Sequence, residues 1–338
     1  MKRRHLGRTG IAVSEICLGT MTFGSMADEA TAVACLDKAF DADVDFIDIS
    51  EVYPVPPDPE YAGVSEEICG KWLAQRSRDA VIVATKLAGP GGGWFRTPVR
   101  EGRSALDRHN IERAVEGSLR RLQTDYIDLY QTHWPDPFVP IEVTLEALDR
   151  LVEQGKVRAI GCSNQSAYGL MKSLWMADRD GLTRYETIQN GCSILSRRFE
   201  DEIARVCRHE QVSLLAYSPT GAGVLSGKYQ GGAWPEGARF TRYRDGDART
   251  QAMTKRFVNE RTLATAARVA EIAGDCGMSP VTFAVAWTLS RDFIGSSIVG
   301  VTSAEQLDEH LAAADAEIPA DALAAVDRLS KEIRHPME

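Results

Sequence analysis

At 338 residues, 44% of them hydrophobic and 26% charged, the chain has the composition of a globular protein with a sizeable core. A formal charge of −9 argues against a general nucleic-acid or anionic-membrane binder, which needs a broad basic face. Seven scattered cysteines without a CxxC pair point to reduced thiols in a cytoplasmic protein rather than a disulfide framework or a metal site. The basic start MKRRHLGRTG has no apolar stretch after it, and no run reaches membrane-span length, so neither a leader nor a membrane anchor is expected.

Taken in order, residues 3–19 predict a hairpin turning at Arg8-Thr9-Gly10, whose second half can also serve as a first barrel strand. Apolar residues at Val33, Leu36 and Phe40 have helical spacing. The same grammar then repeats. Strands are expected at 44–47, 80–86, 126–130, 157–160, 185–189, 212–217 and 297–301. Helices are expected at 64–73, 111–122, 144–153, 168–177, 199–209 and from Ser303, with two more at 261–273 and 281–289 before the last strand. A long Gly- and Arg-rich loop is expected after the 212–217 strand, and an amphipathic helix at 321–333.

Eight strand–helix units in one series imply a parallel sheet with crossover helices. Without a composition break or a GxGxxG after the first strand, they favour a single α/β domain over 1–338. Its expected fold is a (β/α)8 TIM barrel with an N-terminal β-hairpin and extra C-terminal helices.

In such a barrel, functional groups gather at the C-terminal ends of the strands. Asp48, Lys86 and His133 end the second, third and fourth strands, and Tyr53 lies in the loop after the second. A free phenol titrates near about 10 and is a weak acid at neutral pH. A neighbouring ammonium is expected to lower that value, and a carboxylate beside the lysine to hold the ammonium in place. Such a phenol can protonate a carbonyl oxygen while hydride reaches the carbon, with the histidine hydrogen-bonded to the developing oxyanion. Taken singly, each of these residues is more often a surface aromatic, a solvated strand end, a turn former or a loop histidine; their joint position makes the motif. No metal ligands are expected.

The sequence resembles the aldo-keto reductase superfamily over nearly its whole length, and is especially similar to the bacterial Tas-like branch. The resemblance is carried by LGRTGIAVSEICLGTMTFG, FIDISEVYPVPP, VIVATKL, DYIDLYQTHWPD, GKVRAIGCSN, TIQNGCSIL, LLAYSPTGAGVLSGKY and IVGVTSAEQLDEH. It implies NADP(H) as cofactor, with NAD(H) not excluded, and a catalytic tetrad of Asp48, Tyr53, Lys86 and His133 with Tyr53 as the acid. It implies cofactor contacts at Gly19, Thr20, Met21 and Asp48, at Ser163, Asn164 and Gln189 for the nicotinamide carboxamide, and at Tyr217 for stacking on the ring. It extends them to Ser218, Pro219, Thr220, Gly221, Gly223 and Lys228 for the pyrophosphate.

The last unit, Gly300-Val301-Thr302-Ser303 before AEQLDEHL, offers a helix N-terminus to a phosphate, with Ser303 and Gln306 fitting a capping box. Gly300, Thr302, Gln306 and His310 therefore join the candidates. Three departures stand out. Ile49-Ser50 replaces the usual small pair after Asp48, no Lys or Arg lies at Gly300-Val301, and His310 stands where Asn is usual. Arg239 or Arg242 could supply the missing charge to an adenosine phosphate.

The expected activity is reduction of a small aldehyde or ketone, with Trp94, Phe95 and Trp134 as candidate pocket walls. A Schiff-base lyase using Lys86 and a cofactor-sensing regulatory subunit without turnover are the alternatives. The natural substrate and the oligomeric state are not written in the sequence.

Overall fold

A computed structural model describes residues 1–91 and 95–337. Strands β1 (Arg3–His5) and β2 (Ala12–Ser14) form the antiparallel hairpin. Eight parallel strands then close a barrel: β3 (Ile16–Gly19), β4 (Phe46–Asp48), β5 (Ile82–Leu87), β6 (Ile127–Thr132), β7 (Val157–Ser163), β8 (Tyr185–Gly191), β9 (Ser213–Tyr217) and β10 (Ile294–Gly300). Neighbours in space are neighbours in sequence, and β10 pairs with β3 to seal the ring. The expected (β/α)8 barrel is the fold found.

Strand alternation builds the interior in layers. Cys17, Phe46, Ala84, Leu129, Ala159, Leu215 and Ile298 form an apolar layer inside the ring. Leu6, Ile11 and Val13 of the hairpin pack against it, plugging the end where the strands begin. Each of these three burials stabilises the fold by about 2 kcal/mol gross. Two residues further along each strand the same faces carry Gly19, Asp48, Lys86, Gln131, Gly161, Gln189, Tyr217 and Gly300. An apolar floor thus lies directly below a polar layer. Gly161 is a glycine for a reason of space: a Cβ there would stand 2.1 Å from Thr187 Oγ1 and 3.3 Å from Gln131 Cγ.

The outer ring comprises α1 (Glu29–Asp41), α2 (Val64–Leu73), α3 (Arg108–Leu122), α4 (Ile141–Glu153), α5 (Ala167–Asp180) and α6 (Ile203–Glu210). Their starts are chemically marked: the side chains of Asp28, Asp107 and Ser166 accept from backbone N–H groups of the first turns of α1, α3 and α5. Inward faces repeat at helical spacing, as with Ile111, Val115, Ser118 and Leu122 of α3.

Four expectations need correction. Phe199 belongs to a separate 3-10 turn, Arg198–Glu200, so α6 begins later than the 199–209 reading. The expected loop after β9 contains two helices, α7 (Arg239–Arg244) and α8 (Ala248–Phe257). They are anchored by buried Phe240 and Tyr243 and by the Asp247 cap on Thr250. The helix expected from Ser303 is a 3-10 turn, Ala304–Gln306, followed by the five residues of α11 (Leu307–Leu311). The capping box does not form: Ser303 pairs with Glu305, while Gln306 Oε1 accepts from Thr302 N–H at 2.9 Å. Between these lie α9 (Glu260–Asp275) and α10 (Pro280–Leu289), and α12 (Ala320–Glu332) packs outside against α9.

Candidate active site

The polar layer converges on one carboxylate. Lys86 Nζ lies 2.6 Å from Asp48 Oδ2 and donates to Ile49 O at 2.7 Å. Gln189 Nε2 donates to Asp48 Oδ1 at 2.8 Å and Gln131 Nε2 does so at 3.3 Å. Lys86 is wholly buried. Burial opposes its charge, but Asp48 and Tyr53 outweigh that penalty and raise its pKa above the ordinary lysine value.

Tyr53 is not a surface aromatic; it is buried, with Lys86 Nζ 4.8 Å from its ring centroid. Its pKa differs from the expected lowering. Burial raises it, and the opposing influence of Lys86 is partly cancelled by Asp48, so the phenol stays protonated above its ordinary range. A proton donor in reserve is the consequence. His133 packs edge-on against Tyr53, centroids 5.8 Å apart, and burial together with Lys86 pushes its pKa well below the usual histidine value. The imidazole is therefore neutral at neutral pH, with Nδ1 3.0 Å from Ser50 Oγ.

Asn164 joins this group to the next strands: Nδ2 donates to His133 O at 2.8 Å and Oδ1 accepts from the Tyr217 hydroxyl at 2.8 Å. Ser163 Oγ donates to Gln189 O at 2.7 Å. Thr20 is fully buried, and its hydroxyl is engaged by Ser65 at 2.7 Å and by Asp48 O at 3.1 Å. It supports the strand end with its side chain rather than opening it to the mouth, unlike half-buried Met21 beside it.

Beyond β9, positive φ at Ser218, Gly221 and Gly223 carries a tight turn past Pro219 and Thr220. A Cβ at Gly223 would stand 2.8 Å from Lys228 Nζ. Burial and then Arg239 lower the Lys228 pKa, and burial, with a smaller push from Lys228, lowers that of His310. Among the described residues neither Lys228 nor Arg239 has a carboxylate partner. Two crowded, unpaired cations at the mouth of an acidic protein suit an anionic ligand. Arg242 is exposed on the same short helix. Gly300 ends β10 at the surface, Thr302 and Gln306 bond each other, and His310 Nδ1 lies 2.7 Å from Gln306 O.

Trp134 lies tilted against His133, ring centroids 4.5 Å apart, and meets Phe95 edge-on at 5.5 Å, placing both beside the group of Asp48, Tyr53, Lys86 and His133; Trp94 lies outside the described residues. A surface cavity of about 920 Å³ lies at the opposite end of the barrel. Two of its carboxylates are paired, Asp45 with Arg3 and Asp128 with Arg158, and Asp79 accepts from the Tyr126 hydroxyl at 2.7 Å. No metal-binding group of His, Cys, Asp or Glu occurs among the described residues, and no described helix is long and apolar enough to cross a membrane.

Two residues escaped the sequence reading as contacts. Gln131 holds Asp48, and its signal was a lone amide on the inward face of β6, two residues before His133. Ser50 touches His133, but as a serine in a DISE string it carried no sign of its partner.

The sequence model of the Aldo/keto reductase family matches residues 15–331. The chain is 38% identical to "Protein tas" of Escherichia coli over 99% of both proteins. It is 32% identical to "Uncharacterized oxidoreductase YrpG" of Bacillus subtilis over 96% of this chain and 94% of that protein. It is also 32% identical to "Probable voltage-gated potassium channel subunit beta" of rice over 93% of this chain and 92% of that protein.

Proposed function

We propose, from the premise that this chain belongs to the aldo/keto reductase family and is an NAD(P)H-dependent oxidoreductase, that it reduces a small aldehyde or ketone with NADPH, and that Tyr53 delivers the proton. The observation that carries this reading is the buried Asp48–Lys86 pair beneath a protonated Tyr53. The residues present fit a dinucleotide. Lys228 and Arg239 supply uncompensated positive charge for its phosphates, and the open end at Gly300 gives the backbone access to them. Tyr217 offers a ring for the nicotinamide to stack on. Asn164 can exchange the Tyr217 hydroxyl for a ligand amide, with Ser163 and Gln189 behind it.

Bound there, the reduced nicotinamide supplies hydride. The chain does the rest. Tyr53 donates its proton to the carbonyl oxygen as negative charge builds there, and Lys86 stabilises the phenolate left behind. Asp48 fixes Lys86 in place and keeps it charged. His133 hydrogen-bonds the same oxygen. Trp134 and Phe95 shape an apolar wall that favours aromatic or alkyl carbonyl compounds.

A Schiff-base lyase is disfavoured by the raised Lys86 pKa, since an amine held as ammonium is a poor nucleophile. Oxidation of NADPH and of NADH across a carbonyl panel tests the reading. Consumption of NADPH with a subset of carbonyls is expected. Tight NADPH binding without turnover on any of them would favour a sensing subunit instead, and borohydride trapping of substrate on Lys86 would favour the lyase.

A further inference from the structure

We propose that Ser50 is a positioning residue for the carbonyl reduction: its hydroxyl donates to His133 Nδ1 and so fixes the imidazole proton on Nε2, facing the substrate oxygen. The inference deepens the reductase reading and rests on it for the role of His133, but the tautomer is a property of the free protein.

Both partners are held still. The Ser50 segment is tied by Ile49 N–H to Ala84 O at 2.8 Å and by Glu51 N–H to Lys86 O at 3.1 Å. His133 is tied through its own N–H to Leu87 O at 2.9 Å and through its carbonyl to Asn164. Ser50 is fully buried, so no bulk water competes for its hydroxyl.

Counting protons leaves two arrangements. Ser50 Oγ has one hydrogen and three neighbours: His133 Nδ1 at 3.0 Å, Lys86 O at 3.3 Å, and the N–H of Val52, which donates to it at 3.4 Å. If the hydroxyl turned to Lys86 O, His133 would have to carry its proton on Nδ1. Its Nε2 lone pair would then face the lone pairs of a substrate carbonyl. Lys86 O, however, already accepts from Glu51 N–H and does not need the hydroxyl. Donation to Nδ1 uses the shorter contact and leaves the carbonyl satisfied. A neutral imidazole is a donor at one nitrogen only, and the partner of one nitrogen decides the state of the other. Nε2 has no protein partner among the described residues, so its N–H is available to the substrate.

The test reads the tautomer directly. Nitrogen-15 spectra of histidine-labelled protein, with the His133 signals identified by their loss in His133→Gln, separate the two ring nitrogens among the six histidines. Wild type is expected to show Nε2 protonated and Nδ1 bare across neutral pH. Ser50→Ala is expected to show a mixture of tautomers and a fall of about three- to tenfold in kcat, the effect of one lost neutral hydrogen bond, with cofactor KM unchanged. Ser50→Thr, which keeps the hydroxyl, is expected to restore the wild-type pattern.

A proton on Nδ1 in wild type would overturn the proposal, even if Ser50→Ala cannot be folded. So would an unchanged Nε2–H signal in Ser50→Ala. An Nε2–H spectrum in a protein that reduces no carbonyl supports the tautomer and removes the reductase reading instead.

Discussion

Replacing Lys86 by Met removes the cation on which the site is built, and its cost can be worked from the contacts. Asp48 is 2% exposed, so its charge cannot be rehydrated without opening the barrel end. Breaking a buried ion pair from one side costs about 3–5 kcal/mol, because the remaining charge is left unpaired. Here Gln189 and Gln131 still donate to Asp48, at 2.8 and 3.3 Å, so the lower end, about 3 kcal/mol, is expected. The double variant Asp48→Asn/Lys86→Met leaves no charge behind and should lie within about 1 kcal/mol of wild type. Neither variant should turn over, because Tyr53 loses the ammonium that stabilises its phenolate. Urea unfolding followed by tryptophan fluorescence, beside NADPH oxidation, measures both quantities. A single variant less than about 1 kcal/mol below wild type, or a double variant as unstable as the single, would refute the idea that Asp48 depends on Lys86 for its charge.

Protonated Tyr53 and neutral His133 set the pH profile: kcat for reduction should stay flat through neutral pH, fall on the alkaline side only above about 10, and fall on the acid side only well below about 6.5. Lys86 binds its proton more tightly in the folded chain, so its stabilisation is full below the unfolded value of about 10.4 and is lost as pH rises through the folded one; thermal unfolding against pH measures this. Arg100 clamps the loop before α3 to Glu51 by two bonds of 2.7 and 2.8 Å; Glu51 is buried and the Arg100 side chain is only 9% exposed. Arg100→Met should cost about 3 kcal/mol in urea unfolding, and much less when Glu51→Gln accompanies it. Lys228→Ala should weaken NADPH binding by about tenfold or more, the loss of a hydrogen bond to a charged group. Arg239→Ala should weaken NADPH more than NADH, as read by fluorescence titration.

What the sequence made legible follows from how locally each feature is encoded. The barrel strands are short apolar runs ending in a polar residue, so Asp48, Lys86 and His133 can be placed at strand ends from the sequence alone. Helices with apolar stripes or side-chain caps, such as α3 behind Asp107, were readable for the same reason. Helices α7 and α8 were not, because RFTRYRDGDARTQ has too few apolar residues for a stripe. They form where Phe240 stacks at 5.1 Å on Phe257, a contact between two elements rather than within one. The capping box at Ser303 failed because Glu305 and Thr302 are nearer partners for its two members.

The site divides in the same way. The direction of the Tyr53 pKa depends on how much water the folded barrel removes, which no local string records. The Ser50–His133 contact spans 83 residues and exists only because β4 and β6 flank β5 in the closed ring. Gln131 and Gln189 reach Asp48 by the same closure. Strand alternation says which way they point, but not what they meet.

The central claim is that Tyr53 supplies the proton, and Tyr53→Phe tests it with little change of shape. NADPH should bind the variant as tightly as wild type, while carbonyl-dependent NADPH oxidation falls by about 10²–10⁴-fold, the usual contribution of a positioned proton donor. Full turnover in Tyr53→Phe would contradict the account.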